Sequence, residues 1–514
     1  MNDQSAGQRP RADAASTRHA ALAMDGPTFR ALGHRLVDRV ANSLESLPHG
    51  PVTRDASPSA IRNALDLNGP LPESGTDPAF LLEETAQLLF THSLFNGHPR
   101  FFGYITASPA PIGMFADFLA AAVNPNVGAW QLSPAATEIE SQTVRWIAAL
   151  CGYRVDCGGL LVSGGNMANF VCFMAARAAM AGWNVREHGV AADERRPLRV
   201  YASVEAHTWL QKATDLSGLG TASIRWIPTD ATLRMDVAAL RRQLEADVAA
   251  GDRPCIVVGT AGSVSTGSVD PLPEIAALCR EHGVWFHADA AYGGFAAQSP
   301  EAPEELRALS EADSVAVDPH KWLYTPLEAG CALVRHPDAL RAAFAYHPLY
   351  YHFDEHATNY VDCGPQNSRG FRALKVWLAI RQVGAAGYRE MIGDDIRLSR
   401  AMAAAIDGHP ELELVTQALS ITTFRYVPRD LQSKAGEPSV ERYLDSLNQE
   451  LLDRLQRGGE AFVSNAVVHG RYLLRACIVN FHTTRADVEA VPEIVTRIGR
   501  TTDSELRRNY VTTQ

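Results

Sequence analysis

An α/β fold with a mainly parallel sheet covered on both faces is predicted by three features of the 514-residue sequence. Short apolar runs recur through the middle of the chain. Stretches with helical spacing separate them. After about residue 385 the alternation gives way to a smaller α+β pattern.

Taken in order, the first 24 residues are polar and Ala-rich and read as a disordered tail. From Pro27 the residues Phe29, Leu32, Leu36, Val37 and Val40 recur at helical spacing. Pro48, Pro51, Pro58, Pro70, Pro72 and Pro78 then break up a loop-rich stretch. Residues 25–109 are therefore assigned to an N-terminal segment. Over 110–384, Leu160-Leu161-Val162 is a strand candidate that ends in Ser163-Gly164-Gly165, and Met167 to Met180 is a helix. Further strands are predicted at 198–202, 255–258, 284–287, 314–317 and 331–334, with a helix from Ile275 to His282. Over 385–514, a helix through Ile396 to Ile406 precedes strands at 412–415, 421–426 and 472–477.

Composition excludes several function classes. A net charge of -11 without a basic run argues against nucleic acid and anionic membranes as partners. No apolar stretch is long enough to span a bilayer, and the N-terminus does not read as a secretory signal. The eight cysteines form no CxxC pair, which predicts reduced thiols in a cytoplasmic protein and no metal site.

Chemistry concentrates in two segments, His287-Ala288-Asp289-Ala290-Ala291-Tyr292-Gly293 and Asp318-Pro319-His320-Lys321-Trp322. Each follows an apolar strand, and the carboxyl ends of strands are where open α/β sheets bind ligands. A lysine at one strand end and a carboxylate at another suit a pyridine-ring aldehyde cofactor. The amine forms a Schiff base, and the carboxylate keeps the ring nitrogen protonated. Ser163-Gly164-Gly165-Asn166, between a strand and a helix, suits the phosphate of such a cofactor, because glycine backbone and a helix N-terminus both favour an anion.

From about His98 to Arg475 the chain resembles the group II pyridoxal-phosphate decarboxylases, nearest the aromatic-L-amino-acid members. The segments that carry the likeness are HPRFFGYIT, AWQLSPAATEIE, LLVSGGNMANF, VEAHTWLQKA, GTAGSVSTGSVD, WFHADAAYGG, SVAVDPHKW and SRGFRALKVW. The resemblance implies the fold-type I architecture, with a mainly parallel seven-stranded sheet in a large domain, a small C-terminal α+β domain and an N-terminal helical segment. It implies pyridoxal 5'-phosphate on Lys321, Asp289 at the ring nitrogen and His207 stacked on the ring. Thr260 falls near the phenolic oxygen and Ala291 on the ring's other face. Gly165, Asn166, Asp318 and His320 fall around the phosphate, where an Asn often replaces Asp318. Tyr360, in Thr358-Asn359-Tyr360, is matched to the loop tyrosine that reprotonates Cα. The family's members are homodimers, which makes 25–109 a dimerisation segment and gives Asn124 to Trp130 a place at the partner's site.

For the substrate, Tyr104 and Ser368 fall at positions that favour an aromatic side chain, while Gly128 and Asn96 replace bulkier residues. The expected reaction is decarboxylation of an L-amino acid to its amine and CO2. The alternatives are a glutamate, aspartate or diaminobutyrate decarboxylase, an aromatic aldehyde synthase, another fold-type I enzyme such as an aminotransferase, and a non-catalytic cofactor-binding homologue.

Overall fold

The computed structural model describes residues 20–193, 196–347 and 357–512. The chain divides into two compact units, one holding residues 20–49 with 56–93 and the other residues 50–55 with 94–512. The tail expected over 1–24 lies, up to residue 19, outside the described residues.

The smaller unit contains the helices Gly26–Ser46, Pro58–Ala64 and Pro78–His92. Asp25 and Asp77 cap the first and last of these by accepting the backbone N–H groups of Thr28 and of Ala79 and Phe80.

The larger unit contains two sheets. The first has seven strands: β1 (Gly158–Val162), β2 (Leu198–Ser203), β3 (Ile224–Ile227), β4 (Arg253–Thr260), β5 (Trp285–Asp289), β6 (Ser314–Val317) and β7 (Gly330–Val334). Their spatial order is β1-β7-β6-β5-β4-β2-β3. Every pairing from β6 to β3 is parallel, and β7 runs antiparallel to both β6 and β1. The carboxyl ends of β1, β4, β5 and β6 consequently share one edge, where Val162 lies opposite Gly330 and Thr260 opposite Asp289. Helices cover both faces, so the strands are apolar without alternation: Ile256, Val257 and Val258 of β4 are all fully buried. The edge strand β3 has no predicted counterpart. Only four residues long and carrying Arg225 and Trp226, it lacks the continuous apolar signal of the central strands.

The second sheet is antiparallel, with β8 (Leu412–Ala418), β9 (Ile421–Tyr426), β10 (Phe462–Val468) and β11 (Arg471–Cys477) in the order β10-β11-β9-β8. Phe101–Phe102 adds a two-residue parallel strand to β10. The helix Pro438–Gly458 covers this sheet with Leu444, Leu447, Leu451 and Leu455, spaced three and four apart and buried. The helix Ala373–Asp407 is broken at Gly384, whose φ of 70° and ψ of 165° lie outside the helical region.

Candidate active site

The carboxyl edge of the first sheet gathers most of the predicted residues. Asp289 ends β5 and is 8% exposed. Its Oδ2 accepts the indole N–H of Trp209 at 2.7 Å, and its Oδ1 accepts the backbone N–H of Ala291 at 3.2 Å. Two residues earlier on the same strand, His287 is fully buried. Its Nε2 lies 2.7 Å from Asn169 Oδ1 and its Nδ1 lies 2.8 Å from Ser314 Oγ. Ser314 already accepts the Trp285 indole N–H at 2.8 Å, so its hydroxyl donates to Nδ1 and the ring carries its proton on Nε2. Burial lowers the His287 pKa to about 4, which keeps this ring neutral beside Asp289.

Thr260 ends β4. Its backbone N–H donates to the buried Asp270 at 2.8 Å, and its own Oγ1 is buried without a hydrogen-bond partner. His207 follows β2, and its Nδ1 accepts the Trp209 backbone N–H at 3.1 Å, which leaves the proton of the neutral ring on Nε2. Desolvation lowers the His207 pKa; nearby Asp289 raises it and Lys321 lowers it.

Lys321 sits in the turn after β6. Its Nζ lies 3.0 Å from Asp318 Oδ2, and the lysine side chain is 16% exposed. His320 Nδ1 donates to the Ala329 carbonyl at 2.6 Å and its Nε2 lies 3.8 Å from Asp318 Oδ2. The turn between β1 and the helix Gly165–Met180 packs directly on this group. Gly164 has a φ of 83°, and a side chain at Gly165 would meet Asp318 Oδ2 at 2.5 Å. A side chain at Gly330 would strike the Gly164 backbone. Glycine is therefore required on both sides of the turn that leads into this helix N-terminus.

These residues fit pyridoxal phosphate. The Thr260 Oγ1 lacks a partner, a glycine turn opens the helix Gly165–Met180 beside Asp318, and an amine and a carboxylate stand on neighbouring strand ends. The carboxylate of Asp318, unfavourable beside a phosphate by itself, has the Lys321 ammonium against it.

Other predicted residues fall elsewhere. Tyr104 has a φ of 53° and is 55% exposed; its carbonyl accepts Arg475 Nη1, and Arg475 Nε reaches the Val264 carbonyl in the loop after β4. Ser368 is exposed and makes no recorded contact with Lys321. The space beside Gly128 is filled by the Asn367 backbone, so this glycine serves a close approach of two segments of the chain and does not widen a pocket.

Tyr360 is corrected by the structure. It is not a loop side chain reaching for substrate but a core residue, 2% exposed, in a short helical turn at Tyr360–Asp362. Its ring packs beneath the Arg369 guanidinium at 4.6 Å, and Arg369 in turn pairs with the buried Glu140 and donates to the Val127 and Leu161 carbonyls. Burial raises the hydroxyl pKa well above its ordinary value, which opposes release of its proton. Residues 348–356, including Tyr350 and Tyr351, lie outside the described residues.

Sequence reasoning missed Trp209, His287 and Asn169. His287 had a signal, since it precedes Asp289 by two on one strand and shares its face. Trp209 stands two residues after His207, but nothing in the sequence links its indole to a carboxylate eighty residues on.

Residues 58–427 match the pyridoxal-dependent decarboxylase conserved domain. The chain belongs to the pyridoxal-dependent decarboxylase family. This decarboxylase is 33% identical over 472 residues to the aromatic-L-amino-acid decarboxylase of Bacillus atrophaeus, a match covering 91% of this chain and 94% of that one. It is 31% identical over 490 residues to a tyrosine decarboxylase of Oryza sativa subsp. japonica, covering 92% and 91%. The crystal structure of Oryza sativa TDC with PLP and tryptamine superposes with a TM-score of 0.85 at 27% identity, covering 93% of this chain and 99% of that one. The crystal structure of mouse CSAD superposes with a TM-score of 0.87 at 26% identity, covering 93% and 99%. The decarboxylase has the fold-type I architecture, uses pyridoxal 5'-phosphate and acts on an amino acid.

Proposed function

We propose that this decarboxylase converts an aromatic L-amino acid to its amine and CO2, with Lys321 as the residue that holds the cofactor. The observation that carries the reading is the convergence of Lys321, Asp289 and Thr260 on one sheet edge, against the glycine turn. The aromatic preference is supported by relatives named for aromatic-L-amino-acid, tryptophan and tyrosine decarboxylation.

When bound, pyridoxal phosphate supplies an electron sink for the pair left at Cα as the carboxyl group departs. The amine of Lys321 would attach the group, and Gly165 and Asn166 would offer backbone N–H groups to its phosphate. Asp289, oriented by Trp209 and Ala291, would hold a proton at the ring nitrogen. Thr260 would offer its free hydroxyl to the phenolic oxygen, and Ala291 would leave room for the ring. His207 would stack on the ring with its own proton on Nε2. Neutral, buried His287 keeps water and a competing charge away from Asp289. Tyr104 and Ser368 remain the substrate-side candidates.

One observation favours a second reading, an aldehyde-forming reaction. The relatives include a phenylacetaldehyde synthase of a Rosa hybrid cultivar at 28% identity, and the burial of Tyr360 removes the residue that argued against that branch.

A homodimer is supported by the helix Pro111–Val123, which leaves Phe115, Leu119 and Val123 more than half exposed along one stripe. A cytoplasmic location is supported by eight free cysteines, six of them buried. Among the described residues no helix is long and apolar enough to cross a membrane.

The deciding experiment incubates the cofactor-loaded protein with mixed L-amino acids and identifies the products by mass spectrometry. An aromatic amine supports the proposal. Aldehyde with peroxide supports the second reading, and amine from an acidic amino acid alone overturns the aromatic assignment.

A further inference from the structure

We propose that Asp395 is the positioning residue of the Lys321 turn: one oxygen of its buried carboxylate gathers the Trp322 indole and the Tyr324 hydroxyl, and so fixes the direction in which the lysine leaves the backbone. The inference rests on Lys321 being the cofactor lysine.

Asp395 lies on the helix Ala373–Asp407 and is 2% exposed. Its Oδ2 accepts the Trp322 indole N–H at 2.9 Å and the Tyr324 hydroxyl at 2.7 Å. Between the two gripped residues, the Leu323 carbonyl accepts the hydroxyl of Tyr388 from the same helix at 3.1 Å. Three consecutive residues after Lys321 are thus tied to one rigid element.

Little slack remains between this grip and the lysine. The Lys321 backbone N–H donates to the Asp318 carbonyl at 2.9 Å, and the Tyr324 N–H donates to the Lys321 carbonyl at 3.0 Å. Tyr324 has a φ of 52°, a left-handed conformation that a non-glycine residue keeps only when its surroundings impose it. The Trp322 ring stacks on Tyr292 with centroids 4.5 Å apart, and Tyr292 shares a 2.7 Å hydrogen bond with Ser420. Rotating Trp322 out of the Asp395 grip therefore disturbs both the lysine turn and the residue that closes the Asp289 segment.

A carboxylate suits this place and an amide does not. Ionised, it is acceptor-only and takes both converging donors, whereas an asparagine can turn an NH2 group toward them. Burial pushes the Asp395 pKa up to about 7, and the Tyr324 and Trp322 hydrogen bonds oppose that rise.

The test uses the full chain loaded with excess pyridoxal phosphate, in wild-type, Asp395→Asn, Asp394→Asn, Tyr324→Phe and Lys321→Ala forms. In Asp395→Asn the visible circular dichroism per bound cofactor is expected to fall by about half, because the lysine no longer holds one orientation. Its kcat is expected to fall about tenfold or more with KM little changed. Asp394→Asn, on the exposed neighbour, is expected to match wild type. A folded Asp395→Asn protein with the wild-type optical signal overturns the proposal. Should that variant not fold, Tyr324→Phe removes one donor alone, and an unchanged signal there overturns it equally. Lys321→Ala is expected to lose the band. A band that survives in it overturns the lysine assignment and this proposal together, which separates that failure from a failure of Asp395 alone.

Discussion

The indole of Trp209 donates to Asp289 Oδ2 at 2.7 Å, and both side chains are buried at the end of the sheet. A hydrogen bond to a buried charged acceptor is among the stronger ones in a protein, contributing about 1.5–3 kcal/mol. Trp209→Phe keeps the ring packed on Phe173 and His287 but deletes the donor. The expected result is a kcat about tenfold lower, a shifted cofactor absorption band and a nearly unchanged KM. Absorption spectra and steady-state kinetics on the same preparation check it.

Gly165 tests the anion turn. Its missing side chain makes room for Asp318, which is 2% exposed and paired with Lys321 and so has nowhere to retreat. Gly165→Ala is expected to weaken pyridoxal phosphate binding by about tenfold or more while far-ultraviolet circular dichroism stays native. Equilibrium dialysis measures the affinity, and wild-type binding would remove the turn from the cofactor site.

The relocation of Tyr360 reverses a prediction made from sequence. Tyr360→Phe keeps the ring under Arg369 and is expected to leave the ratio of amine to aldehyde unchanged. Product analysis of the variant and the wild type under air checks it.

Asp270 predicts a pH effect on stability. Burial raises its pKa from an ordinary 3.8 to about 6, while the Thr260 and Met235 N–H groups hold it in place. The folded protein therefore binds this proton more tightly than the unfolded chain. Its contribution is present below pH 4 and is lost as pH rises through about 6, at no more than about 1.4 kcal/mol per pH unit. Asp270→Asn is expected to flatten that part of the curve. Urea midpoints between pH 4 and 7 test it, and an unaltered slope refutes it.

What the sequence disclosed was whatever local pattern could carry. Central strands such as β4 and β5 are continuous apolar runs, so they and the residues at their ends, Thr260, Asp289 and Lys321, were legible. β3 and β10 were not: both carry polar residues among the apolar ones, and their identity comes from the neighbours they pair with. Tyr360 misled because a tyrosine between Asn359 and Asp362 looks solvated, whereas its surroundings come from Arg369 and from Glu140, far away in the chain. Asp395 was invisible for a related reason. On a helix with an acidic neighbour it reads as a surface charge, and only the turn after Lys321 makes it a buried acceptor.

The placement of β7 between β6 and β1 sets a timetable for synthesis. β1 is made first among the seven strands, yet its only sheet neighbour is made last. A chain still on the ribosome and shorter than Gly330 holds a glycine-led apolar strand with no pairing edge, followed by a glycine turn that lacks its Gly330 contact. The cofactor pocket is therefore completed only after translation has passed β7. Nascent chains stalled before that point are the forms that need a chaperone, and they are the ones from which pyridoxal phosphate added during synthesis gains no hold.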